Sequence, residues 1–67
     1  MEISARNQLK GRVKEVVLGT VMAEVVADVG GQEVVAAITR RSAEALGLKT
    51  GDSVTVIIKA TEVIIGK

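Results

Sequence analysis

The sequence predicts an all-β domain of five strands, with one short helix between the third and fourth strands. Two observations lead to this prediction. Val and Ile recur in short runs that are separated by glycine-containing turns, as is typical of strands and their connections. A single segment between the third and fourth runs instead has helix-forming residues and helix end signals. This element order is that of a small Greek-key barrel of the oligonucleotide-binding (OB) type.

Three predicted strands come first along the chain and are joined by two tight turns. Gly11, early in the first strand, predicts a bulge or bend. Gly30 and Gly31 predict a hairpin turn, because both residues accept positive φ angles. We expect these strands at Leu9–Leu18, Val21–Val29 and Gln32–Ile38.

The helix is predicted over Arg40–Leu46. Thr39 is a suitable N-cap for it, and Gly47 is suited to the position just past its last turn. After a polar turn, the fourth and fifth strands are expected at Ser53–Lys59 and Val63–Ile65.

The length and composition restrict the class of protein. Sixty-seven residues permit one small domain, which we expect to span residues 1–67. The chain has no Cys, His or aromatic residue, and small domains without disulfides or metals usually need idealised packing or oligomerisation. A net charge of +1 gives no strong field for nucleic acid or an anionic membrane. Neither a membrane span nor a signal peptide is recognisable, so we expect a cytoplasmic protein.

Apolar residues occupy both faces of three predicted strands over part of their length. Such continuous runs indicate that both faces are covered, and a 67-residue barrel has nothing of its own to cover its outside. We therefore expect a homo-oligomer. The alternative is a monomer with some exposed Val and Ala, which are common on protein surfaces. The runs are Val16–Leu18, Val34–Ile38 and Val56–Ile58.

The residue types argue against an enzyme. Without His, Cys or Tyr, the usual general bases and nucleophiles reduce to Asp, Glu, Lys, Ser and Thr, and no two carboxylates have the spacing of a catalytic pair. Zinc would lack its common ligands, and no acidic loop resembles a calcium site. We expect no catalytic residue, no bound metal cation and no cofactor.

Cationic and hydroxyl side chains are the more informative groups. The segment Thr39–Ser42 lies at the predicted helix start, where free N–H groups favour an anion and where Arg40 and Arg41 are unfavourably placed without one. Alternatively, Thr39 is only the cap and the arginines extend into water beside Glu44. Each remaining cation also has an ordinary interpretation: Lys59 protects a strand edge, and Arg6 belongs to the solvated approach to a strand.

Three blocks of the sequence resemble the molybdate-binding Mop domains of the Mop/TOBE family. The opening block, SARNQLKGRV, begins at Ser4 and is similar to the characteristic start of these domains. Two later blocks, Ile38-Thr39-x-x-Ser42-x-x-x-Leu46-Gly47-Leu48 and Gly51-Asp52-x-Val54-x-Val56-Ile57-Ile58-Lys59, agree in order and spacing. The resemblance covers essentially the whole chain and is to a free-standing molbindin.

The resemblance implies a fold, an assembly and a ligand. It implies a five-stranded OB-like barrel whose chains exchange strand pairing in a hexamer, a trimer of dimers. Molybdate or tungstate would bind between subunits, for intracellular molybdenum storage or homeostasis. A second kind of oxyanion site would lie near the symmetry axes, with residues that the resemblance does not assign here.

The resemblance also implies site residues. One subunit would contribute Ser4, Arg6 and Lys59, with a backbone amide near Ala5 or Ala60, and another subunit would contribute Thr39 and Ser42. Some relatives have a hydroxyl residue where this chain has Ala60, so contact there is expected from the main chain only. Asn7 and Gln8 are expected to be structural.

Two other functions are compatible with the pattern. The first is a small nucleic-acid-binding module, OB-like or AbrB-like; against it, such modules use stacked aromatics and a basic groove, whereas this chain has no aromatics and is nearly neutral. The second is a purely structural assembly domain, which would form the same oligomer and bind no ligand.

Overall fold

A four-stranded antiparallel sheet forms most of the molecule in the computed structural model, which describes all 67 residues. The strands lie in the order β3-β2-β1-β4, so that three consecutive strands are neighbours and the fourth lies beside the first. This is the spatial order of a Greek key. The elements are β1 (Asn7–Leu18), β2 (Met22–Val29), β3 (Gln32–Thr39), the helix α1 (Arg40–Ala45), β4 (Ser53–Ile58) and a 3₁₀ turn (Ala60–Glu62).

The hairpin between β2 and β3 forms where the glycine pair predicts it. Gly30 and Gly31 have φ angles of 58° and 87°, which residues with a Cβ rarely adopt. The Gly31 N–H donates to the Asp28 carboxylate at 2.9 Å, and this bond closes the turn. The two strands then pair without a break from Val29 opposite Gln32 to Met22 opposite Thr39.

The predicted bulge at Gly11 is wrong, and the extra residue of β1 is Lys14. The register against β2 shifts between Val13 and Glu15, which leaves Lys14 without a direct partner. Gly11 has a different role: a Cβ at this position would lie 2.9 Å from both the Asp28 carbonyl oxygen and a methyl of Val29. Glycine is therefore needed here for the close approach of β1 to the end of β2.

The helix begins as predicted and ends one residue earlier. Thr39 is the N-cap, and its hydroxyl oxygen accepts from the Ser42 N–H at 3.0 Å. Leu46 is the C-cap, and Gly47 follows with a φ of 61°. Ala43 is the buried residue of α1, which packs on β2 and β3. No helix of the structure has the length and hydropathy needed to cross a bilayer.

The core of the single chain is small. A folded monomer of 7.0 kDa is expected to expose about 4,000 Å² of surface, whereas this chain exposes 5470 Å². The radius of gyration is 12.3 Å, against roughly 11 Å expected for this length. Much of the apolar surface is thus left open by the chain alone. The six buried residues are Val13, Ala23, Val25, Val26, Ala27 and Ala43.

The predicted fifth strand is absent from the chain, and the barrel is not closed. Val63 is extended, but the segment Val63–Ile65 pairs with no strand, and the side chains of Ile64 and Ile65 are 91% and 86% exposed. The barrel is open because β3 and β4 form the two outer edges of the sheet and do not pair with each other. The fifth strand is absent because the tail leaves the sheet after the 3₁₀ turn and has no strand partner within the chain.

We expect Gly11→Ala to lower the free energy of unfolding by about 1–3 kcal/mol, because the new methyl would force β1 away from the backbone of β2. Urea denaturation at one fixed chain concentration measures the change. Gly66→Ala is the matched control, since a Cβ there meets nothing within 4 Å. Equal stability of the two variants would contradict the close-approach explanation.

Candidate functional site

Two cationic residues leave the sheet side by side where β1 begins and β4 ends. The last pair of the β1–β4 ladder is Asn7 opposite Ile58. Arg6 precedes Asn7 and Lys59 follows Ile58, so the two cations leave adjacent strand ends, and both line one cleft. Like charges opposite each other on neighbouring strands are destabilising. A feature that costs stability in the free chain is a reason to look for a ligand of opposite charge.

One surface cleft collects most of the predicted binding residues. It has a volume of about 510 Å³ and is lined by Ser4, Ala5, Arg6, Lys59 and Ala60, with Asn7 and Thr61 beside them. No carboxylate lines the cleft. Its polar groups are therefore mainly hydrogen-bond donors, which is the chemistry that an anion requires.

The donors in this cleft are not used within the chain. Arg6 and Lys59 take part in no ion pair, and the backbone N–H groups of Ala5 and Ala60 donate to no acceptor. The Ser4 hydroxyl likewise lacks a partner. Several other cations are engaged within the chain: Lys14 with Glu33, Arg40 with Glu44 at 3.5 Å, Lys49 with Asp52 at 3.4 Å, and Arg12 with the Gly51 carbonyl at 2.9 Å.

Lys14 shows the effect of such a partner. The hydrogen bond that Lys14 donates to Glu33, followed by the negative charge of the same carboxylate, raises the pKa of Lys14 above its ordinary value. The pair is exposed and connects the bulge of β1 to β3 across β2.

Side-chain amides fasten the backbone on which the donors lie. The Gln8 amide donates to the Ala5 carbonyl at 2.6 Å, and the Gln8 N–H donates to the Arg6 carbonyl at 3.0 Å. The Asn7 amide donates to the Ile58 carbonyl at 3.1 Å. The Lys59 carbonyl accepts from Glu62 N–H at 2.9 Å, which sets the 3₁₀ turn behind it.

The other two predicted site residues lie elsewhere. Thr39 lines a separate cleft of about 460 Å³ that shares no residue with the first. The Ser42 hydroxyl is hydrogen-bonded to the Thr39 hydroxyl. Thr39 pairs with Met22, which lies beside Leu18 at the C-terminal end of β1. The first cleft lies at the N-terminal end of β1, beside Asn7. A single chain therefore does not bring the two groups together.

The two hydroxyls form a hydrogen-bonded pair. Thr39 Oγ1 and Ser42 Oγ lie 2.8 Å apart, and Thr39 Oγ1 also accepts from the Ser42 N–H. One hydroxyl hydrogen lies between the two oxygens, so the pair has one further O–H to offer an acceptor.

Sequence reasoning did not select Thr61 as a site residue, although it lines the first cleft. It lies in the 3₁₀ turn after Lys59, which was predicted only as a break between strands. The β1–β4 register is the signal that could have found it, because each residue before Asn7 then faces one after Ile58. That register depends on long-range pairing.

The structure contains no group of three or more His, Cys, Asp or Glu side chains that could hold a metal ion.

The fold and the cleft together define the class: an antiparallel β-domain with a positively charged, donor-lined surface for an anion.

The chain belongs to the TOBE domain family, whose sequence profile matches residues 3–65. It is 52% identical over 66 residues to molybdenum-pterin-binding protein 3 of Clostridium pasteurianum, and the alignment covers 97% of each chain. The family resemblance predicted from the three sequence blocks is therefore confirmed.

Two solved structures share the fold. A molybdate-binding protein from Sporomusa ovata matches with a TM-score of 0.95 and 54% identity, over 100% of both chains. The cytoplasmic molybdate-binding protein ModG, with molybdate bound, matches with a TM-score of 0.90 and 43% identity, over 96% of this chain and 46% of that one. The predicted fold class, a mostly antiparallel β-domain with one short helix, agrees with these relatives.

We expect Lys59→Gln to leave the denaturation midpoint of the ligand-free protein unchanged or slightly higher, since it removes one of two cations that line the same cleft. Lys14→Gln should lower the midpoint, since it removes the partner of Glu33. Because Glu33 raises the pKa of Lys14, this contribution is present below the ordinary lysine pKa and disappears as the pH rises through the raised value. Thermal melts between neutral and strongly alkaline pH measure both effects. A clear loss of stability in Lys59→Gln would contradict the like-charge interpretation.

Proposed function

We propose that residues 1–67 act as one non-enzymatic domain that binds the molybdate oxyanion, with tungstate as a second ligand of the same chemistry. The observation that carries the proposal is the register of β1 and β4, which sets Arg6 against Lys59 in a cleft without carboxylates. The names of the relatives favour molybdate among tetrahedral oxyanions.

The donor set suits a small dianion. Arg6 and Lys59 supply charge-assisted hydrogen bonds, which are the strong ones. The Ser4 hydroxyl and the backbone N–H groups of Ala5 and Ala60 add direction without adding charge. A bound dianion would also attract each of the two cations and so offset the repulsion between them. No cofactor and no metal cation is needed for this chemistry.

The bare oxyanion fits better than a molybdenum-pterin conjugate, although relatives carry the latter in their names. A pterin ring presents N–H groups that need acceptors and a flat face that stacks on aromatics. The cleft has no carboxylate, and the chain has no Phe, Tyr or Trp. The protein would therefore recognise the oxygens of the anion and nothing larger.

The complete site is proposed to form between two chains. A cleft of about 510 Å³ is much larger than a tetrahedral oxyanion and is open to solvent, so a second surface would complete the site. The hydrogen-bonded hydroxyl pair Thr39–Ser42 of another chain is a suitable surface, because it has one further O–H to donate. Each chain would then contribute one half to each of two sites.

The assembly is proposed to be a homo-oligomer, a hexamer built as a trimer of dimers with exchanged strands. The small core, the large exposed surface and the two open sheet edges support it. An apolar groove of about 240 Å³ runs between those edges, lined by Val34, Ile38 and Val54 among others. The exposed segment Val63–Ile65 has the length and apolar character to add a strand at such an edge on a neighbouring chain.

A role in molybdenum storage or homeostasis in the cytoplasm agrees with a relative that is described as cytoplasmic. The nucleic-acid alternative has less support, because the cleft has only two cations and no aromatic side chain on which a base could stack.

Titration calorimetry with sodium molybdate tests the proposal. We expect Arg6→Ala and Lys59→Ala each to weaken binding by about tenfold or more, since each removes a charge-assisted bond. Lys10→Ala is the matched control, because Lys10 is an exposed cation of β1 outside the cleft. Absence of heat from the native protein, or an equal effect of all three variants, would refute the proposal.

Mixing variants tests whether two chains share a site. A chain with Arg6→Ala and Lys59→Ala and a chain with Ser42→Ala should each fail to bind as homo-oligomers. After unfolding and refolding together, mixed oligomers should regain binding, because some interfaces then pair an intact cleft with an intact Ser42. Equilibrium dialysis against molybdate measures the recovery. No recovery in mixtures that native mass spectrometry shows to be mixed would contradict a shared site.

A further inference from the structure

We propose that Asn7 is a positioning residue for the oxyanion site: its side-chain amide closes the end of the β1–β4 ladder and holds Arg6 beside Lys59 before the ligand arrives. The inference rests on the proposed function, and it gives a role in binding to a residue that need not touch the ligand.

The position of the hydrogen bond supports this role. Asn7 directly follows Arg6, and Ile58 directly precedes Lys59. The Asn7 amide donates to the Ile58 carbonyl at 3.1 Å and so joins residues that are 51 positions apart in the chain. The same two residues form the last pair of the ladder. The side chain thus adds a bond at the point where the paired strands end, and this bond is partly buried.

The bond acts where the strands have a reason to separate. Beyond Asn7 the next opposing residues are the two cations, which repel each other in the absence of an anion. Strand ends are also where local opening costs least. A side-chain hydrogen bond at this pair opposes both tendencies. At this end of the ladder no other side chain forms a hydrogen bond between the two segments, since the Arg12 bond to the Gly51 carbonyl lies at the opposite end.

Gln8 shows the contrast. Its amide donates to the Ala5 carbonyl, three residues earlier in the same segment. It shapes the approach to β1 but does not connect β1 to β4. The connection therefore depends on Asn7 alone among the side chains, and it lies within the cleft, which Asn7 also lines.

The consequence for binding is preorganisation. If the end of the ladder is open for part of the time, the apparent dissociation constant rises in inverse proportion to the closed fraction. One hydrogen bond contributes about 1 kcal/mol of net stability. If the end of the ladder is mostly open once that bond is lost, the closed fraction falls by about fivefold. Molybdate would still close the ladder on binding, but part of its binding free energy would be used for the closure, so its apparent affinity would be lower.

The test compares molybdate binding by Asn7→Leu, which has a similar shape and no donor, with binding by Arg12→Ala. Arg12 forms the pair at the opposite end of the same ladder, with Ser53, and its guanidinium donates to the Gly51 carbonyl, so its truncation removes a side-chain hydrogen bond away from the cleft. We expect the dissociation constant to rise about fivefold in Asn7→Leu and to stay unchanged in Arg12→Ala, with the wild-type assembly mass in both. Asn7→Ala replaces Asn7→Leu if the latter does not assemble.

Amide hydrogen exchange in the ligand-free protein is the second measurement. Exchange of residues 7–9 and 56–58 should be faster in Asn7→Leu, and either molybdate or a further Lys59→Gln substitution should slow it again. Lys59→Gln alone should also slow exchange there, which tests the repulsion without any change at Asn7.

The outcomes separate this inference from the proposed function. If the wild type does not bind molybdate, the proposed function fails, and the role of Asn7 in binding fails with it. If the wild type binds and Asn7→Leu binds equally well, or if Arg12→Ala weakens binding as much, the positioning role is wrong while the proposed function stands. Exchange that does not respond to Lys59→Gln would overturn the proposed opposition between the Asn7 bond and the cation pair.

Discussion

The antiparallel pairing of β1 with β4 is the constraint on which the rest of this small protein depends. It joins the beginning of the chain to its end, in six consecutive residue pairs from Asn7 opposite Ile58 to Arg12 opposite Ser53. Because these pairs bring the two strand ends together, the residues just beyond them, Arg6 and Lys59, line one cleft. A shift of one residue would turn every side chain to the other face and separate the cations. The site is thus a consequence of the sheet, and its geometry is as firm as the ladder behind it.

The cleft brings two cations together without a carboxylate. Lys14, Arg40 and Lys49 each have a carboxylate partner, whereas Arg6 and Lys59 line one cleft without one. Natural sequences tend to break such local rules at functional sites and compensate for the cost elsewhere. Here the compensation available within the chain is a pair of side-chain amides, Asn7 across the ladder and Gln8 within the approach to it. The arrangement stores repulsion that an anion can relieve.

The incomplete core is one reason for the proposed assembly, and through it for a link between assembly and binding. Only six residues are buried, the sheet has two open edges, and the last apolar residues of the chain, Ile64 and Ile65, have nothing to pack against. A chain of this kind gains more from a neighbour than from any rearrangement of its own. If the neighbour also supplies Ser42 to the open side of the cleft, then a ligand that binds only the assembled form stabilises the assembly by mass action. The same surfaces would then serve structure and recognition.

The sequence by itself determined the features that depend on neighbouring residues. Gly30-Gly31 specified the hairpin, Thr39 the helix start and Gly47 its end, because each acts through local φ angles or hydrogen bonds within a few positions. The three blocks also determined the family. Only the tertiary structure decided what depends on pairing between distant segments. It placed the bulge at Lys14, whereas Gly11 serves the close approach of β1 to β2. It left Val63–Ile65 unpaired with either open edge of the sheet. It set Arg6 against Lys59 and tied Asn7 to Ile58, since long-range register is not encoded in any short stretch of the chain.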